Sequence, residues 1–102
     1  MKTVLRLIPD YHVFPLGAIT PHGYESLDGP ELGLSPQLIE DITAWGDEFT
    51  AVLHRGWQSK EARKNFAATG YRLVDRLRAE TKGKYAVEYF DEDLGREVTI
   101  AG

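Results

Sequence analysis

Three histidines, His12, His22 and His54, are the side chains best suited to metal ligation or proton transfer near neutral pH, and they lie far apart in the sequence. A zinc site on one helix needs two ligands a turn apart, as in HExxH, so that both reach the same ion; no pair here has that spacing. His54 reads as a helix-end charge and His22 as a turn residue. Asp91, Asp93 and Gly95 resemble the opening of a calcium loop, but such a loop needs glycine at its sixth position and a bidentate glutamate at its twelfth, where this chain has Gly102. The run Asp91, Glu92, Asp93 reads instead as an acidic hairpin turn that keeps the strand ends solvated. The chain has no cysteine, hence no thiolate ligand or thiol nucleophile. Without a GxSxG elbow, a GxGxxG turn or a Walker sequence, the common hydrolase and nucleotide-binding signatures are missing. No metal, cofactor or catalytic residue is expected. An enzyme that gathers Asp10, Tyr11 and His12 in space stays open, because a catalytic constellation is assembled by the fold.

Carboxylates are plentiful, and Glu40, Asp41, Asp47 and Glu48 cluster in one segment. General acid work needs a desolvated carboxyl with a raised pKa, whereas these four are expected to face away from the apolar residues around them. They form either a solvated helix face or a patch for a cationic partner. Charge is also uneven along the chain. Residues 1–53 carry two basic and eight acidic groups, residues 54–102 ten basic and eight acidic, and the total is −4. An acidic total argues against general nucleic-acid binding, which needs a basic footprint to displace counterions. Arg63, Lys64 and Arg72 could touch phosphates; as readily, their stems cover apolar surface and their charges meet the acidic segment.

The elements that must position these groups can be read from period and punctuation. Residues 3–8 are aliphatic and β-branched and predict a strand closed by Pro9; Tyr11 to Phe14 predicts a second extended piece, which Pro9 and Pro15 confine to a sheet edge or a loop. Gly17 to Leu34 holds the densest run of glycine and proline and predicts a long exposed loop. Ser35-Pro36 is a helix start, with a capping hydroxyl followed by proline where its missing N–H costs nothing. The helix should run to about Leu53 with Leu38, Ile42, Trp45, Phe49, Val52 and Leu53 on its buried stripe. After Gly56, Ser59 should cap a second helix from about Lys60 to Thr81, buried along Phe66, Gly70, Leu73, Val74 and Leu77 and closed by Gly83. Trp45 is expected in the core; Trp57, between the helices, either plugs the end of the core or anchors a partner. Lys84 to Phe90, a turn, and Arg96 to Ile100 form a hairpin.

The fold class predicted is α+β: an antiparallel sheet of three or four strands packed against an antiparallel helical pair. With 102 residues, 42% of them hydrophobic and 27% charged, the chain has ordinary globular composition and is expected to form one domain over 1–102. The apolar run at the N-terminus is broken by Arg6 and is too short for a signal-peptide core, and no window approaches a membrane span. A cytoplasmic location with no membrane contact is expected.

Four stretches together are suggestive: Leu7-Ile8-Pro9-Asp10-Tyr11, Leu34-Ser35-Pro36, Ala44-Trp45-Gly46-Asp47-Glu48-Phe49 and Tyr85-Ala86-Val87-Glu88-Tyr89-Phe90-Asp91. In their order and spread the chain resembles small immunity proteins of bacterial toxin systems, including contact-dependent growth inhibition. The resemblance implies a tight complex with a cognate toxin domain, often a basic nuclease, blocked by covering its active or functional site. A nuclease cleft is cationic because it holds phosphates, so an acidic helix face could imitate the substrate. On that reading Glu40, Asp41, Asp47 and Glu48 are the first candidates for partner contact and Asp91, Glu92 and Asp93 the second. The competing reading is a small regulatory or structural subunit that homodimerises through its sheet edge or first helix; monomer and homodimer stay open.

Overall fold

Strand β1 (Thr3–Leu7) lies at the centre of the sheet in the computed structural model, which describes residues 3–9 and 14–100. It is flanked by β2 (Leu16–Thr20) and, beyond it, β3 (Gly23–Ser26) on one side, and by β4 (Tyr85–Asp91) and β5 (Arg96–Ile100) on the other, giving the order β3-β2-β1-β4-β5. The sheet therefore has five strands, not the three or four expected, and it is not wholly antiparallel: β1 and β4 run parallel, Leu5 opposite Val87 and Leu7 opposite Tyr89. Parallel neighbours need a long crossover. Here it contains the two helices, α1 (Pro36–Arg55) and α2 (Lys60–Glu80).

The region read as one long loop, Gly17 to Leu34, instead contains most of β2, all of β3 and a short 3-10 helix at Gly29–Leu32. Its turn formers mark two tight turns in succession. Between β2 and β3 the Thr20 hydroxyl donates to the Gly23 carbonyl at 2.9 Å and accepts from the His22 N–H at 3.2 Å, so one side chain staples the hairpin. Gly17 is a strand glycine with a packing reason: a Cβ there would lie 2.3 Å from the Tyr24 ring, which covers the gap from the neighbouring strand. Tyr11, His12 and Val13 of the second extended piece lie outside the described residues.

Both helices begin where expected, with Ser35 Oγ accepting from Leu38 N and Ser59 Oγ from Ala62 N. They cover one face of the sheet. Leu5, Leu7, Leu16, Val87 and Tyr89 from that face meet Leu38, Ile42 and Trp45 of α1 and Phe66, Leu73, Val74 and Leu77 of α2 in one contiguous core. Leu53, assigned to the buried stripe, is 53% exposed. At about 100° per residue Leu53 falls at the margin of the stripe centred on Leu38, Ile42 and Trp45, where the helix surface turns to solvent. Trp57 packs on the end of the core with its ring 5.3 Å from that of Phe66. Among the described residues no helix is long and apolar enough to cross a membrane.

The helix ends are also tied to each other. Glu80, in the last turn of α2, accepts from both the backbone N–H (2.6 Å) and the hydroxyl (2.8 Å) of Ser35, placing a carboxylate at the N-terminus of α1, whose own first turn has none. Those two bonds hold the Glu80 carboxyl below its ordinary value.

Candidate partner-binding surface

Glu40, Ala44, Asp47 and Ala51 follow one another at steps of three and four residues and so form a ridge along α1, with Glu48 beside it. Glu40, Asp47 and Glu48 are exposed, and among the described residues none of the three forms an ion pair. Asp41 is different. It is half-buried, accepts from Gln37 Nε2 at 2.9 Å and pairs with Arg76 of α2, and these two donors hold its carboxyl below the ordinary range.

The hairpin carboxylates divide in the same way. Asp91 is buried, contrary to its reading as a solvated turn residue. Its Oδ2 accepts from the Tyr71 hydroxyl at 2.7 Å and its Oδ1 from the N–H groups of Asp93 and Leu94 at 2.8 and 3.0 Å, so it builds the turn and fastens it to α2. Burial acts to raise its pKa, but the three donors outweigh it and the carboxyl sits below its ordinary value. Burial, with the Asp91 charge, pushes the Tyr71 phenol up to about 12, so it stays a donor over the physiological range. Asp93 pairs with Arg63 at 3.3 Å. Glu92 is half-buried beside Asp91, and burial and then that charge raise its pKa. Of the seven carboxylates named from the sequence, Asp41, Asp91 and Asp93 are thus committed to contacts within the chain.

The lowered pKa values carry a sign. A carboxyl held below its unfolded value stabilises the fold above that value and loses the contribution as pH falls through the folded one; Glu92, raised, acts in the opposite sense. Asp91, Asp41 and Glu80 all belong to the first kind. Urea midpoints are therefore expected to fall as pH drops below about 4, and Asp91→Asn, which keeps an acceptor for the turn but cannot titrate, should fall less steeply. Equal slopes for the two proteins would show that Asp91 does not drive the acid response.

Between the helices, on the side away from the sheet, Asp41, Ala44, Trp45 and Glu48 of α1 and Thr69, Arg72, Leu73 and Arg76 of α2 line a groove of about 370 Å³. A second hollow of about 220 Å³ follows at the interhelical turn, where Glu48 recurs together with Val52, Arg55 and Trp57. Sequence reasoning missed this seam. The available signal was spacing: Asp41 and Glu48 lie seven residues apart on α1, Arg72 and Arg76 four apart on α2, so each pair stays on one helix face. Of Arg63, Lys64 and Arg72, grouped in the sequence as potential phosphate contacts, Arg63 is tied to the hairpin and Arg72 lines the seam.

His22 and His54 are both exposed, and no group of three His, Cys, Asp or Glu among the described residues could hold a metal ion. Asp10, Tyr11 and His12 lie outside the described residues. A family model described as Serratia CdiI immunity protein-like matches residues 3–92. A search of curated proteins finds no match.

Proposed function

Because the chain belongs to the Serratia CdiI immunity protein-like family, whose model spans residues 3–92 of its 102, we propose that it neutralises a toxin domain with nuclease activity by laying the acidic ridge of α1 over a cationic cleft. Family membership makes it an immunity-type protein with a toxin as partner. The docking face comes from charge, and the nuclease is what the resemblance to toxin immunity proteins implies, with which that charge agrees. The observation that carries the reading is the exposed set Glu40, Asp47 and Glu48: three carboxylates on one helix, none of them in an ion pair among the described residues, the pattern that accelerates encounter with a phosphate-binding surface. Glu92 at the hairpin is a secondary contact; Asp41, Asp91 and Asp93 support the scaffold.

The test is capture from the native host with the tagged chain as bait, followed by re-expression of the recovered toxin domain and measurement of its nuclease activity with and without the chain. Asp47→Lys/Glu48→Lys is then expected to slow association at least about tenfold at low salt and to leave the melting temperature unchanged, with the gap narrowing as salt screens the charges. Association at the wild-type rate would move the docking face elsewhere. Recovery of the bait alone, as a concentration-dependent dimer, would favour a homo-oligomeric subunit.

A further inference from the structure

The seam between α1 and α2 has opposite charge on its two rims. On the α1 side stand Asp41 and Glu48, on the α2 side Arg72 and Arg76, above a floor that includes the buried Trp45 and Leu73. Asp41 and Arg76 neutralise each other at one end. At the other end Glu48 and Arg72 line the same groove, and neither forms an ion pair among the described residues. Glu48 also borders the hollow at the interhelical turn, which Arg55 and Trp57 line. From Asp41 to Arg55 the two hollows together border roughly 20 Å of α1.

An acidic face alone asks only for a cationic partner. A groove with one carboxylate rim and one guanidinium rim asks for more: the occupant must place a cation over α1 and an anion over α2, and an occupant with that order reversed meets like charges on both sides. We infer that the toxin domain seats a segment along this seam, with a lysine or arginine against Glu48 and a carboxylate against Arg72, so that the seam sets both its orientation and the choice of toxin. The inference rests on the immunity reading, since family membership is what supplies a protein partner. It differs from the acidic-ridge reading in one sign. If only negative charge mattered, replacing Arg72 by glutamate would strengthen binding; if the seam has two poles, the same change weakens it.

The experiment uses the full chain and the toxin domain captured from the host and re-expressed. Kd is measured for wild type, Glu48→Gln, Arg72→Glu and Lys64→Glu. Lys64 is an exposed α2 lysine that does not line the groove, so its variant makes the same change in net charge off the seam. Arg72→Glu is expected to raise Kd at least about tenfold and Glu48→Gln severalfold, whereas Lys64→Glu leaves Kd unchanged or lowers it. Melting temperatures check that each variant folds, and Arg72→Gln serves if Arg72→Glu does not. Tight binding by a folded Arg72 variant overturns the two-pole seam and leaves the acidic ridge standing. Failure to recover any toxin domain overturns the immunity reading itself. The seam would also suit a second copy of the chain, α1 of each on α2 of the other, so a wild-type dimer that Arg72→Glu dissociates assigns the seam to self-association and overturns the proposal.

Discussion

Replacing Trp45 with alanine is expected to lower the unfolding free energy by about 3–5 kcal/mol, a large part of the roughly 5–15 kcal/mol typical of folded proteins. The indole is 2% exposed and joins both helices to the sheet. It stacks on Phe66 of α2 with centroids 4.6 Å apart and planes 7° from parallel, and it lies 6.1 Å from the Tyr89 ring on β4. Its Nε1–H donates to the Phe66 carbonyl at 3.1 Å, so its polar edge is satisfied inside the core. Alanine would remove the contacts of three elements at once and leave a cavity that a helix held at both ends by caps cannot close. Trp45→Phe keeps the stacking and loses the hydrogen bond and some volume, and should cost about 1–2 kcal/mol. Urea denaturation followed by circular dichroism, with Trp57 fluorescence as a second probe, measures both. A loss for Trp45→Ala below about 1 kcal/mol would mean that the helices hold to the sheet without this ring.

Gly70→Ala should destabilise by about 2–4 kcal/mol even though alanine is favoured over glycine in a helix by about 1 kcal/mol. Sterics decide the sign. A Cβ on Gly70 would lie 2.0 Å from the Tyr89 hydroxyl oxygen and 2.4 Å from Cζ, and the ring has nowhere to retreat. Tyr89 is fully buried, donates its hydroxyl to the Ala67 carbonyl at 2.9 Å and packs edge-on against Tyr71 at 4.7 Å. Moving it breaks a buried hydrogen bond and disturbs the aromatic pair, which outweighs the helix preference. In a Tyr89→Val background the space is free, so the same glycine substitution should become neutral or stabilising. A double-mutant cycle measures this coupling, and additivity would show that Gly70 is required for another reason.

Gly70 also illustrates what a linear reading reaches. Its place on the buried stripe with Phe66, Leu73, Val74 and Leu77 was legible, because a stripe is a matter of period. That the position is a slot for a tyrosine nineteen residues later was not, because no local rule relates Gly70 to Tyr89. The strands behave similarly. Aliphatic and β-branched composition identified β1, and the terminal hairpin identified β4 and β5, but the turn formers after Gly17 concealed β2 and β3, since a two-residue hairpin turn and a loop use the same residues. The candidate carboxylates were grouped by proximity in the chain, and proximity does not say which of them a distant arginine or tyrosine will claim.

What the sequence determined by itself is what depends on neighbours within one or two turns: the caps at Ser35 and Ser59, the extents of α1 and α2, their apolar stripes and the acidic character of α1. The α+β class followed from these and from the terminal hairpin, and the resemblance to immunity proteins matched the family that the chain belongs to. Tertiary structure alone decided the strand order, the parallel pairing of β1 with β4 and the uses of the charges. Arg6 meets Glu88 across 82 positions, Asp41 meets Arg76 across 35 and Ser35 meets Glu80 across 45. Such pairs form only when packing of the apolar stripes has brought their elements together, since the ionic contacts are individually weak and follow the core rather than direct it. The core thereby commits Asp41, Asp91 and Asp93 to the fold and leaves Glu40, Asp47 and Glu48 facing solvent on α1.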